Sequence, residues 1–274
     1  MTSRFVVAEG IRTHYLDAGD GPVLVLLHGG EYGAAAELTW EGCIPLWSKR
    51  FRVLALDLVG FGRSSKIRDF AGGQRRLMIA QVSAVLRTLD IDRAYFVGTS
   101  LSGRMLLDMV NRDPAPWPVE AMVAAGIGLA PPSAQGRKVL EDFDGTIDGL
   151  RPSMEVLFHD PAFRDSEDFL RRRYEFAAMP GAWETGVAAA LRSPVRTVRG
   201  GSPSRRDYGS IKVPVQLIRG EHDALVPEET WQALADQIPG VRTVTVAESG
   251  HYPQIERPAE FGAAVLEFLN EVGR

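Results

Sequence analysis

One junction between an apolar run and a polar turn constrains this chain more than any other segment. Ala94-Tyr95-Phe96-Val97 reads as a short buried strand, and Gly98-Thr99-Ser100-Leu101-Ser102 follows at once. Leu101, Met105, Leu106, Met109 and Val110 then mark one face of a helix. Strand, glycine, serine, helix is the layout of a nucleophile elbow, a sharp turn that lifts a serine hydroxyl above the end of a sheet. Gly98 removes the Cβ that would obstruct the backbone two residues before the serine. Position 102, where a second glycine is usual, holds a serine small enough for the same space.

The flanking segments carry the strand-to-helix alternation that such a turn requires. Residues 4–7 and 11–17 read as a hairpin around Glu9-Gly10, and 23–27 and 51–56 as buried strands. Apolar positions 79, 82, 86 and 89 repeat with helical period, residues 121–127 supply a sixth strand, and 213–218 and 241–246 resume the pattern. A last amphipathic helix starts at Pro258. Strands alternating with helices predict an α/β fold, with a mostly parallel central sheet and helices on both faces. From 131 to 203 no strand is expected; helix-like stretches broken by Gly145, Pro161, Pro180-Gly181 and Gly200-Gly201 read as a helical cap inserted after the sixth strand. The expected organisation is 1–130 and 204–274 as two parts of one core, with 131–203 as the cap.

Composition narrows the partners. The 31 basic and 35 acidic residues leave a net charge of -4, and the basic ones are scattered, against a nucleic-acid footprint. Cys43 is the only cysteine, so no intramolecular disulfide is available, which suits a reducing compartment. No signal-like segment follows Met1, and the run Val23-Leu24-Val25-Leu26-Leu27 is too short to cross a bilayer. The expectation is a cytoplasmic protein with a small-molecule ligand, without membrane or nucleic-acid partners; a homo-oligomer is compatible with this composition.

A serine hydroxyl needs an adjacent base to act as a nucleophile, and the base needs an orienting group. Of the histidines at 14, 28, 159, 222 and 251, only His251 lies in a loop just beyond a late strand, in Ser249-Gly250-His251-Tyr252-Pro253. Asp223, in Gly220-Glu221-His222-Asp223, follows the preceding strand and is the expected orienter. All three candidates thus fall at carboxyl ends of parallel strands, where open α/β sheets place their sites. An oxyanion would be held by the N–H of Leu101 and by one from the loop His28-Gly29-Gly30, with Gly30 favoured and Glu31 the alternative. His28, His222 and Asp57 read as structural. Phe176, Met179 and Trp183 are candidates for an apolar substrate pocket, with core packing the competing role for each.

Together, Leu27-His28-Gly29-Gly30, Asp57-x-x-Gly60-x-Gly62-x-Ser64, Gly98-x-Ser100 and Gly250-His251 resemble the α/β-hydrolase fold family over nearly the whole chain, as does the order Ser100, Asp223, His251. Within that family, Phe169-Leu170-Arg171-Arg172-Arg173-Tyr174, Pro180-Gly181 and Gly250-His251-x-x-Gln254-Ile255-Glu256 are similar to the meta-cleavage product hydrolases. Those enzymes hydrolyse a carbon–carbon bond in 2-hydroxy-6-oxo-dienoates formed during aromatic ring degradation. The resemblance implies a cap arginine that holds the dienoate carboxylate, here Arg173, a role suited to a bidentate guanidinium. A solvated arginine on a cap helix is the competing role.

Three departures bear on the pocket. Thr99 stands where that subfamily usually has asparagine, Tyr252 where it usually has tryptophan, and Gly30-Glu31-Tyr32-Gly33 replaces a loop richer in glycine and proline. Haloalkane dehalogenases and epoxide hydrolases share the fold but use an aspartate nucleophile, so Ser100 counts against both. The expected activity is a serine hydrolase acting on a small ester, lactone or vinylogous ketone, without metal or cofactor. Carbon–carbon hydrolysis of a dienoate is the alternative, and a non-hydrolytic receptor or lyase on the same fold is a third.

Overall fold

The computed structural model describes residues 1–112, 114–130, 133–188 and 207–273. Among these residues eight strands form one sheet: β1 (Thr2–Ala8), β2 (Ile11–Ala18), β3 (Val23–Leu27), β4 (Arg52–Leu56), β5 (Ala94–Thr99), β6 (Val119–Ala125), β7 (Val215–Gly220) and β8 (Arg242–Val246). Their order is β1-β2-β4-β3-β5-β6-β7-β8. The β1–β2 hairpin pairs antiparallel, as does β2 with β4, and every pairing from β4 to β8 is parallel.

Side chains alternate across the sheet and so feed two cores. Val25 and Leu27 of β3 pack into one layer with Met105, Leu106 and Met109 of the helix Leu101–Val110. Leu24 and Leu26 enter the opposite layer, where Trp40, Trp47 and Phe261 cluster at ring separations of 6.1 to 6.4 Å. Phe261, Val265, Phe268 and Leu269, one face of the final helix Pro258–Val272, close that layer.

Several expected boundaries shift for physical reasons. β7 begins at Val215 rather than 213, because Pro214 has no N–H to give a ladder. The helix expected over 79–89 starts a turn earlier, at Gln74, after Gly73 with φ 88°. The short helices Ile44–Trp47 and Pro253–Glu256 have too few residues for a period to register.

Between β6 and β7 the described residues contain helices and no strand: Ala134–Glu141, Arg151–Leu157, Pro161–Arg164, Glu167–Ala177 and Ala182–Val187. Residues 131–132 and 189–203 of the expected cap lie outside the described residues. Local sequence starts three of these helices: Ser133 accepts a hydrogen bond from the Gly136 amide, Asp160 from the Ala162 amide and Ser166 from the Phe169 amide. The strands end facing these helices, and the loops at those ends carry the chemistry-bearing side chains.

Candidate active site

The turn after β5 is strained. Ser100 has φ 53° and ψ -116°, a conformation that non-glycine residues adopt at a cost and that persists only where its surroundings enforce it. Those surroundings are visible. A Cβ on Gly98 would lie 2.7 Å from Leu106 and 3.0 Å from the Gly103 amide, so only glycine lets the helix double back on β5. Ser102, in the place of the usual second glycine, contributes its hydroxyl: it donates to the Leu27 carbonyl at 2.7 Å and accepts from the Thr99 amide at 2.9 Å. The departure from the common pattern therefore pins the elbow to β3.

Ser100 Oγ lies 3.0 Å from His251 Nε2, and His251 Nδ1 lies 2.9 and 3.1 Å from the two oxygens of Asp223. With a carboxylate on Nδ1, the imidazole keeps its proton there and leaves Nε2 to accept from the serine. Asp223 is oriented in turn by the amides of Leu225 and Val226, at 2.9 and 3.0 Å. The loops after β7 and β8 touch: a Cβ on Gly220 would meet the Gly250 carbonyl oxygen at 1.9 Å. Burial of His251 disfavours its charged form, but the Asp223 carboxylate and its hydrogen bond, with Glu31 and Glu256 beyond, outweigh this and raise the imidazole pKa.

Glu256 ties the His251 loop to the cap helices. Its carboxylate accepts from the Gly250 amide at 2.6 Å and from the His159 and Asp160 amides at 2.8 and 2.7 Å. The His251 amide donates to the Leu157 carbonyl at the end of the helix Arg151–Leu157. Even with these donors, burial leaves the Glu256 carboxyl above its ordinary pKa.

Ser100 opens into a cavity of about 750 Å³ whose walls include Gly30, Leu101, Phe61, Met78, Ile127 and Phe176. Gly30 packs directly on Leu101, since a Cβ at position 30 would lie 2.6 Å from that side chain. Arg68, Arg75, Arg104 and Arg137 also border it, with Glu31 and Glu141. Arg104 donates to the Tyr208 hydroxyl and Arg75 pairs with Asp108.

Of the five side chains expected to bind substrate, Phe176 borders the cavity and Arg173, Met179, Trp183 and Tyr252 do not. Arg173 is turned inward, where it donates to the Glu31 carboxylate, so it is not the solvated arginine of the competing role. Met179 packs against the hydrophobic core, and the half-exposed Trp183 donates its indole N–H to the Phe143 carbonyl. Tyr252 is buried with its hydroxyl on Glu31. Helical periodicity locates such side chains along a helix but leaves open which of two packed faces they meet.

The remaining histidines brace the framework. His28 Nδ1 contacts the Gly29 carbonyl at 2.6 Å and its Nε2 accepts from the Leu58 amide at 2.9 Å, while burial lowers its pKa. His222 stacks on His159 with ring centroids 3.9 Å apart rather than capping a helix. Outside the cavity lining, His159, His222 and Glu248 bring potential metal-ligand atoms within 4.8 Å of one another on a partly exposed surface.

A strained serine on a strand-to-helix turn, a carboxylate-held imidazole beside it and a cavity at the carboxyl ends of a parallel sheet define a serine hydrolase architecture. Comparison with known proteins agrees. Residues 22–258 match the family model described as the alpha/beta hydrolase fold, and the chain belongs to that family. It is 30% identical to the 2-hydroxy-6-oxononadienedioate/2-hydroxy-6-oxononatrienedioate hydrolase of Burkholderia vietnamiensis, over 98% of this chain and 96% of that one. It is 29% identical to the 2-hydroxymuconate semialdehyde hydrolase of Pseudomonas sp. (strain CF600), over 98% and 94%. Among solved structures, a meta-cleavage product hydrolase from Pseudomonas fluorescens IP01 superposes with a TM-score of 0.83 at 26% identity, covering 98% of this chain and 97% of that one. A serine hydrolase involved in carbazole degradation gives 0.81 at 28%, covering 98% of each. The chain is thus a hydrolase of this fold, similar to enzymes that cleave carbon–carbon bonds.

Proposed function

We propose that the protein hydrolyses a small ester, lactone or vinylogous ketone, with Ser100 as nucleophile, His251 as general base and Asp223 as the group that orients it. The single observation that carries this is the continuous row from the Asp223 carboxylate through His251 to Ser100 Oγ, open to the cavity at its serine end. Ser100 Oγ attacks the carbonyl carbon while His251 Nε2 takes its proton. The imidazolium that forms is stabilised by Asp223, whose charge already raises the resting pKa. The oxyanion lies between two N–H groups, Leu101 at the unpaired start of its helix and Gly30 packed against it. Glu31 is the poorer second donor, because its amide already serves its own carboxylate. Protonation by His251 expels the leaving group, and a water activated by the same imidazole releases the acyl group from Ser100.

A second reading, carbon–carbon hydrolysis of a 2-hydroxy-6-oxo-dienoate, is favoured by the similarity to relatives named for such substrates. Against it stands Arg173, whose guanidinium is engaged by Glu31 and lies off the cavity. The test compares turnover of p-nitrophenyl butyrate with bleaching of a ring-fission dienoate. Ester turnover abolished by Ser100→Ala, with the dienoate cleaved poorly, supports the first reading; fast bleaching with negligible esterase activity supports the second.

A further inference from the structure

Beside the cavity runs a second buried row, from Arg173 through Glu31 to Tyr252. Arg173 Nη2 donates to Glu31 Oε1 at 2.6 Å, and the Tyr252 hydroxyl donates to Oε2. The Arg173 and Glu31 side chains are 2% and 5% exposed. Glu31 borders the cavity, whereas Arg173 lies behind it. Burial pushes the Glu31 carboxyl up, but the Arg173 charge and the hydrogen bonds from Tyr252 and Arg173 pull it further down, so Glu31 is ionised at neutral pH. Arg173 Nε, equally buried, has no hydrogen-bond partner among the described residues. A guanidinium shaped for two parallel bonds to a carboxylate therefore makes one, and its carboxylate comes from the chain itself.

That placement has a consequence for ligands. A buried guanidinium left without its anion is strongly unfavourable. If the side chain at position 31 were short, Arg173 would face the cavity across the vacated space with both Nη2 and Nε available. We propose that Glu31 determines substrate specificity: it fills the carboxylate position of Arg173 from within the protein, and so confines the cavity to acyl groups that carry no carboxylate at that end. This rests on the assignment of the cavity as the substrate site made above.

The experiment has one arm that needs no turnover. Thermal unfolding of Glu31→Ala is followed with added acetate or propionate, beside wild type and Glu31→Ala/Arg173→Met. Stabilisation by the carboxylates of Glu31→Ala alone is the expected result; an equal response in the double variant, or none in Glu31→Ala, overturns the proposal. The second arm compares kcat/KM for p-nitrophenyl butyrate and the mono-p-nitrophenyl ester of succinate. Wild type favours the neutral ester, Glu31→Ala shifts the ratio toward the succinate ester by about tenfold or more, and Arg173→Met in that background removes the gain. An unchanged ratio in Glu31→Ala overturns it.

Glu31→Gln keeps the site filled with an amide oxygen for Arg173, and its result stands even where Glu31→Ala fails to fold. Its ester preference stays close to wild type; a shift as large as that expected for Glu31→Ala would mean that charge repulsion, not occupancy, sets the preference, and would overturn the proposal. The acetate response and ester hydrolysis can fail separately, so loss of one does not pass for loss of the other.

Discussion

Two serine–histidine–aspartate rows run through this molecule, and distance alone does not choose between them. Ser3 Oγ is 2.8 Å from His14 Nε2, and His14 Nδ1 is 2.7 Å from Asp57; the matching distances at Ser100, His251 and Asp223 are 3.0 and 2.9 Å. The difference lies in what surrounds each hydroxyl. Ser3 sits within the regular strand β1 and is not part of the cavity wall, and Asp57 also accepts from the Ala36 and Arg63 amides, which makes it a joint between loops. Ser100 stands on a strained turn at a helix start, beside backbone N–H groups and a cavity. A hydrogen-bonded row can hold a loop as well as activate a nucleophile; the space and the donors around the serine decide which.

The sharpest way to break this comparison is Ser100→Ala, which should lower kcat for p-nitrophenyl butyrate by about 10⁴-fold or more. Retention of turnover would remove the distinction between the rows. His14→Ala should act on stability instead. It leaves the buried Asp57 carboxylate without its imidazole, a loss of about 3 kcal/mol by urea unfolding, with kcat per folded molecule close to wild type.

The pH profile sharpens the contrast further. Because the His251 pKa is raised above the ordinary value of 6.5, the base loses its free Nε2 early on acidification. The acid limb of kcat/KM should therefore have its midpoint above 6.5. For the same reason, the stability contributed by protonated His251 is full below the unfolded value and is lost as pH rises through the folded one. Ser3→Ala is the smallest expected effect. It removes one hydrogen bond at the sheet edge, so it should cost under about 1 kcal/mol and leave kcat/KM unchanged. A deep loss of turnover in Ser3→Ala would show that the edge row takes part in the chemistry.

The strands and the elbow were legible because each is written in consecutive residues: short apolar runs, then Gly98-x-Ser100. Asp223 and His251 could be named because the α/β order puts both just past strand ends. Long-range polar pairs leave no such trace. Glu31 and Arg173 are 142 positions apart, and each alone reads as a solvated charge in a loop or on a cap helix. The same holds for Ser102, whose value lies in the Leu27 carbonyl 75 residues away. Where the sequence departs from the pattern its resemblance implies, at positions 31, 102 and 252, the structure places hydrogen bonds that only the folded chain brings together.

The Glu256 carboxylate has a mechanical consequence. By accepting from Gly250 on one side and from His159 and Asp160 on the other, it rivets the loop of the imidazole to one root of the lid. The buried Arg173–Glu31 pair fastens the helix Glu167–Ala177 to the core as well, so the cap is held at two separate places. Any load on the cap at the Glu256 anchor is thereby carried by the same carboxylate that seats Gly250, next to the imidazole.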